Sequence, residues 1–152
     1  MAGAAEEAFV EKSRIAVPYK WSAGFVGSRF LKTVMGERRF AASRCPACDK
    51  IFLPPARACG RCLRDCVEGP DVGPGGTLLS FTQALYASPA HPAERPVYGL
   101  IRLDGADTAV LHLIEAGAVD ALRAGMKVEA VFAADGEARS LAVRCFRPIA
   151  TP

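Results

Sequence analysis

Long apolar runs are missing from this chain of 152 residues, although 51% of its residues are hydrophobic. A helix that spans a membrane needs about 18 or more consecutive apolar residues, so we expect no membrane partner. The opening residues, MAGAAEE, also lack the basic and apolar segments of an export signal. We therefore expect a cytoplasmic protein whose thiols stay reduced.

Histidine is scarce, with only two in the chain. A catalytic nucleophile needs a nearby base that is itself oriented by a third group. Neither His91 nor His112 lies in a recognisable catalytic motif. We therefore expect no catalytic residues in this chain, so any chemistry would have to come from another polypeptide.

Charge is distributed unevenly along the chain. Residues 29–64 carry nine basic side chains against Glu37 and Asp49, whereas the residues from 65 onward carry seven basic and eleven acidic ones. The basic part should attract an anionic ligand or an acidic protein surface. A solvated surface that simply carries arginines is an equally good interpretation.

Four of the six cysteines form two Cys-x-x-Cys pairs that are separated by ten residues. The first pair is Cys45 with Cys48, and the second is Cys59 with Cys62. Two such pairs are typical of a structural zinc ion, which four thiolates surround completely. The spacing therefore predicts one zinc site without an open coordination position.

Two alternatives use the same cysteines. Iron in a rubredoxin-type site takes the same four sulfurs, and the sequence leaves the choice of metal open. Paired disulfides would need an oxidising compartment, for which the sequence gives no indication. The remaining Cys66 and Cys145 are interpreted as small packed residues, because four ligands are already supplied.

The first half of the chain is predicted to contain an arm, a helix and a metal-bound hairpin. Residues 1–20 are interpreted as an arm that is ordered mainly by contact with something else. Apolar residues then recur at three- and four-residue steps, with Ser22 as a suitable N-cap and Gly36 as a suitable stop. Strands 38–43 and 50–53 should flank the first cysteine pair, and the Gly- and Pro-rich residues 65–76 are predicted to be a linker.

The second half is predicted to be a five-stranded barrel. Five segments are rich in β-branched or aromatic residues, namely 77–86, 97–103, 108–114, 126–134 and 139–147. A short helical segment with a glycine stop, residues 119–125, follows the third strand. This layout is typical of an OB-fold. We therefore divide the chain into an arm and helix (residues 1–35), a zinc ribbon (36–70) and an OB-fold (71–150).

Several motifs in residues 21–148 resemble those of one known family. They are Arg44-Cys45-Pro-Ala-Cys48, Phe52-Leu-Pro54-Pro55, Cys59-Gly-Arg-Cys62, Gly76-Thr77-Leu-Leu-Ser80-Phe81-Thr82 and Gly125-Met126-Lys127-Val128. The chain is similar in these motifs to the acyl-CoA-associated family that joins a rubredoxin-like zinc ribbon to an OB-fold. The cysteine pattern with Pro-Pro between its halves is the specific part of the resemblance.

The resemblance implies a non-catalytic accessory subunit in a hetero-oligomer with a thiolase-like catalytic subunit of acyl-CoA metabolism. The zinc ribbon and the helix would then be docking elements. CoA carries phosphates, which arginine forks bind well, so Arg44, Arg57 and Arg61 are candidate CoA contacts. The alternative is a protein that binds single-stranded nucleic acid, as other zinc ribbons and OB-folds do. It is disfavoured because the barrel half is net acidic and poor in stacking aromatics.

Overall fold

Strands dominate the computed structural model, which describes residues 17–134 and 142–149. One α-helix, α1 (Gly24–Glu37), comes first and lies against the first strand. It begins later than predicted, with Ala23 as its N-cap, while the Ser22 hydroxyl accepts a hydrogen bond from the Gly24 N–H at 3.1 Å. The helix also runs past Gly36, because its last turns are anchored by the buried Val34. It ends at Glu37, and its C-cap, Arg38, has a left-handed conformation.

Three antiparallel strands form the ribbon sheet, in the order β2-β1-β3. They are β1 (Phe40–Arg44), β2 (Ile51–Phe52) and β3 (Val67–Val72). The prediction that residues 65–76 form a linker is therefore wrong. The Gly and Pro residues of this segment suggested a turn, but β3 pairs with β1 along its length, with a register shift next to Ala41 and Ser43.

The other five strands form the barrel, in the order β6-β5-β4-β7-β8. They are β4 (Gly75–Gln83), β5 (Val97–Leu103), β6 (Val110–Leu113), β7 (Lys127–Phe132) and β8 (Val143–Pro148). A 3₁₀-helix, Val119–Ala121, precedes β7. The two edge strands of the sheet, β6 and β8, are brought together by an isolated bridge between Ile114, which follows β6, and Phe146 of β8. The predicted fold class is confirmed: a helix, a zinc ribbon and a five-stranded OB-fold in a mainly β chain. Residues 139–141 of the predicted last strand lie outside the described residues, as does the N-terminal segment 1–16.

The ribbon and the barrel share one hydrophobic core. Val34, Phe40 and Leu53 belong to the same cluster of buried residues as Leu78 and Phe146 of the barrel. Because one core contains residues from both sides of residue 70, the division of the chain at that point stays a prediction. The described part of the chain has no helix with the length and hydropathy of a membrane span.

Four hydrogen bonds, three of them from or to a side chain of the barrel, also join the two parts. In the turn between β5 and β6, Asp107 and Thr108 contact β2 and the residue after it. The Ile51 N–H donates to Asp107 Oδ2 at 2.8 Å, and the Asp107 N–H donates to the Ile51 carbonyl at 2.9 Å. Thr108 Oγ1 accepts from the Leu53 N–H at 2.7 Å and donates to the Leu53 carbonyl at 2.8 Å. The barrel thus fixes the strand that leads away from the first cysteine pair.

Candidate metal centre

The four cysteines lie on two loops with the same backbone hydrogen bonds, which we call the first knuckle (residues 45–50) and the second knuckle (residues 59–64). In each knuckle the first cysteine accepts a hydrogen bond from the fifth residue at 2.9 Å, and its own N–H donates to the sixth residue at 2.9 Å. The fifth residue, Asp49 or Leu63, has a positive φ of 57° or 54°. This geometry turns both cysteines of a knuckle toward one point.

The two knuckles bring the four thiols together as the spacing predicted. The sulfurs of Cys45, Cys48, Cys59 and Cys62 all lie within 4.8 Å of one another. Those of Cys48 and Cys59 are 3.9 Å apart. Ligands about 2.3 Å from a tetrahedral zinc ion would stand about 3.8 Å apart, so the four cysteines are positioned to bind a metal.

The local electrostatics favour a thiolate at one of these positions. The backbone N–H groups of Cys62 and Arg61 lower the pKa of Cys59 to about 7. Hydrogen bonding with Cys48, together with burial, raises the pKa of Cys62 to about 12. Four neighbouring sulfurs cannot all ionise unless a cation compensates their charge, and a divalent metal ion supplies that compensation.

The two other cysteines stand apart from this set. The Cys66 N–H donates to the Arg57 carbonyl at 2.7 Å, and burial raises the pKa of the Cys66 thiol. Cys145 is buried in β8, where its thiol donates to Glu115 Oε2 at 3.3 Å and burial raises its pKa. Both sites favour the neutral thiol, which agrees with their interpretation as small packed residues.

The three arginines that were predicted to contact CoA have different surroundings. Arg44 forms an ion pair with Asp49 at 2.9 Å. The exposed Arg57 lines a groove of about 870 Å³ between α1 and the ribbon, whose walls include Phe25, Phe30 and Pro55. Arg61 lies exposed on the second knuckle, between two metal-site cysteines.

The two histidines lie in apolar surroundings of the barrel half. The His112 ring meets Phe146 edge-on at 5.6 Å, and burial lowers its pKa. The His91 ring lies 4.9 Å from that of Tyr86. Nδ1 of each histidine is buried without a hydrogen-bond partner among the described residues.

A four-cysteine ribbon joined to an OB-fold barrel defines the class of protein, a zinc-ribbon OB-fold protein. Residues 36–68 match the family model for the rubredoxin-like zinc ribbon domain of ChsH2, and residues 70–133 match the model for the ChsH2 C-terminal OB-fold domain. The two matches together cover more than half of the chain. The protein belongs to the ChsH2 family, also described as DUF35.

Two solved structures have a similar fold. A chain of a structure described as an Ltp2-ChsH2 (DUF35) aldolase is 26% identical, with a TM-score of 0.59 over 80% of this chain and 93% of that chain. A DUF35 protein of unknown function from Sulfolobus solfataricus is 20% identical, with a TM-score of 0.58 over 71% of this chain and 78% of that chain, and shows the fold alone. The comparison with curated proteins found no match.

Proposed function

We propose that this protein is a non-catalytic subunit with a structural zinc ion, which assembles with a thiolase-type catalytic subunit of acyl-CoA metabolism. The observation that carries the proposal is its similarity, over nearly the whole of that chain, to a chain of the Ltp2-ChsH2 aldolase. The thiolase-type character of the partner comes from the resemblance in sequence. The partner would supply the nucleophile and the base.

Zinc is the metal that we assign to the four cysteines. Cys45, Cys48, Cys59 and Cys62 would hold it, since their sulfurs have the mutual distances of a tetrahedral site. A closed set of four thiolates organises the ribbon and leaves no position for a substrate. Metal analysis of the purified protein should give one zinc per chain, whereas iron would overturn the assignment and give the colour of a rubredoxin-type site.

The arm and the helix supply the apolar surface for assembly. Val17, Tyr19 and Trp21, at alternate positions before α1, are all exposed, and Phe25 follows with 87% of its surface exposed. Exposed apolar side chains that cluster in this way are typical of protein interfaces. The docking elements of the proposal are therefore this segment and the ribbon on which α1 lies.

Contact with CoA is the second part of the proposal. Arg57 is the best placed of the three candidates, because it stands at a groove with apolar walls and its guanidinium has no ion-pair partner among the described residues. Arg44 is already engaged by Asp49. Calorimetric titration of the assembled complex with CoA should show weaker binding for Arg57→Gln than for Arg44→Gln, and equal affinities would remove Arg57 from the proposal.

Co-expression tests the assembly itself. The tagged chain is expressed with each thiolase-superfamily protein encoded by the same genome, and the eluates are analysed by size-exclusion chromatography with light scattering. We expect one stable complex, with acyl-CoA turnover by the complex and none by this chain alone. The absence of any complex, or turnover by the isolated chain, would overturn the proposed function.

A further inference from the structure

The two knuckles have the same backbone but different residues at the left-handed position. The first knuckle has Asp49 there and the second has Leu63. Aspartate, asparagine and glycine tolerate a left-handed conformation, whereas a leucine side chain is strained in it. The shared hydrogen bonds make the comparison direct, because each residue donates its N–H to the first cysteine of its knuckle at 2.9 Å.

The Leu63 side chain makes few stabilising contacts with the rest of its own chain. It is 84% exposed, so no core contact compensates for the backbone strain or for the apolar surface in water. The knuckle uses the backbone of Leu63 but not its side chain, and an exposed apolar side chain at a strained position points to an external role. An apolar side chain that is exposed to this extent suits insertion into a partner, whereas small ligands bind in concave sites.

The charges around Leu63 indicate the chemistry of that partner. Next to the first knuckle, the guanidinium of Arg44, the last residue of β1, pairs with Asp49 at 2.9 Å. In the second, Arg61 and Arg64 are exposed, and neither guanidinium has an ion-pair partner among the described residues. The second knuckle therefore presents an exposed leucine that is flanked in sequence by two exposed arginines without ion-pair partners among the described residues.

We propose that Arg61, Leu63 and Arg64, which we call the Leu63 tip, dock into an apolar pocket rimmed by carboxylates on the catalytic subunit. Leucine fills the pocket, and the guanidinium groups pair with carboxylates at its rim. The proposal rests on the proposed function and deepens it, since it names the point of contact. It assigns Arg61 to the protein partner rather than to CoA.

The test uses the complex that co-expression yields and compares three variants of this chain. Leu63→Asn keeps the left-handed backbone and removes the apolar contact, whereas Leu63→Met keeps the apolar contact. Asp49→Asn makes the matched change at the first knuckle. Dissociation constants are measured by biolayer interferometry, and melting temperatures and metal content are measured on each chain without its partner.

We expect Leu63→Asn to raise the dissociation constant at least about thirtyfold, as for a central interface residue. Its melting temperature should stay the same or rise by about 2–4 °C as strain is relieved, with one metal ion per chain. A residue with a merely structural role would instead lower the melting temperature. Leu63→Met and Asp49→Asn should bind within about threefold of the wild type, below the cost that marks a hot spot.

The role of the two arginines is tested separately, by the rate of association and its dependence on salt. Arg61→Gln and Arg64→Gln should slow association and make it less sensitive to salt, because steering by exposed charges is screened. Wild-type assembly combined with unchanged binding by Leu63→Asn would overturn the Leu63 tip and leave the proposed function standing. If Arg61→Gln lost affinity for CoA without any change in assembly, Arg61 would be a CoA contact and not part of the Leu63 tip. Failure of the wild type to assemble would overturn both the Leu63 tip and the proposed function.

Discussion

At the scale of single residues, the metal centre separates the cysteines into two groups. Cys45, Cys48, Cys59 and Cys62 form the set whose sulfurs converge, whereas Cys66 and Cys145 lie outside it. The convergence of these four thiols could be predicted from the sequence because each Cys-x-x-Cys pair is local, and its spacing fixes its geometry. The left-handed backbone and the exposure of Leu63 could not be predicted, since no local sequence pattern marks them.

Cys45→Ser should abolish metal binding and unfold the ribbon. A structural zinc site supplies about 10–16 kcal/mol in small peptides, which is comparable to the whole stability of a domain at about 5–15 kcal/mol. Metal analysis should find close to no zinc in this variant, together with loss of β-sheet signal in circular dichroism. Cys66→Ser is the control and should keep one zinc per chain. A full zinc equivalent in Cys45→Ser would show that the ligand assignment is wrong.

His112 should make stability depend on pH. Burial holds the pKa of His112 below its ordinary value of about 6.5, so the unfolded chain binds a proton more readily than the folded one. The neutral ring therefore makes its full contribution to the free energy of unfolding above about pH 6.5. That contribution is lost as the pH falls toward the pKa of the folded state. The wild-type melting temperature should therefore fall more between pH 7 and 5.5 than that of His112→Leu, and equal slopes in the two melting series would contradict this.

At the scale of elements, a strand with a clear local pattern of apolar residues, such as β5, could be predicted from the sequence. β3, whose conformation depends on pairing with another strand, was missed. The predicted strand 97–103 coincides with β5, in which every second residue is buried. β3 was predicted to be a linker because Gly69-Pro70 is a turn signal in isolation. Pairing with β1 decides its conformation, and long-range pairing of this kind is invisible in a local pattern.

Gly69→Ala should destabilise the ribbon. A Cβ at this position would stand 2.9 Å from the Ser43 carbonyl carbon and 3.1 Å from the Ala42 carbonyl, and these backbone atoms cannot move without breaking the pairing of β1 with β3. We expect a loss of about 1–3 kcal/mol in urea unfolding. Gly117→Ala, which meets nothing within 4 Å, is the control and should stay within about 0.5 kcal/mol of the wild type. An equal effect of the two substitutions would contradict the close approach of β3 to β1.

At the scale of the whole molecule, hydrogen bonds and a shared core join the metal site to the barrel. The first knuckle leads directly into β2, and β2 is held by the barrel turn through Asp107 and Thr108. Leu53, next to β2, is only 2% exposed and belongs to the shared core. Sequence reasoning singled out neither Asp107 nor Thr108, because the partners lie more than fifty residues apart. An interface presented by the ribbon is therefore oriented by the barrel.

Thr108→Val tests this coupling. Valine keeps the shape of threonine but leaves the buried N–H and carbonyl of Leu53 without their partner, which should cost about 1–3 kcal/mol. Because the ribbon and the barrel share a core, zinc release, followed with a chromophoric chelator, and loss of the β-sheet signal should coincide during heating of the wild type. Both transitions should move to lower temperature together in Thr108→Val.

Thr82→Val, at an exposed position of β4, is the control and should leave both transitions in place. If Thr108→Val lowered only the temperature of zinc release and left the barrel transition unchanged, the ribbon would unfold on its own, and the barrel could not orient it for a partner. Coincident shifts would instead mean that a ligand bound at either part stabilises the other, since binding to the folded state of one cooperative unit stabilises the whole.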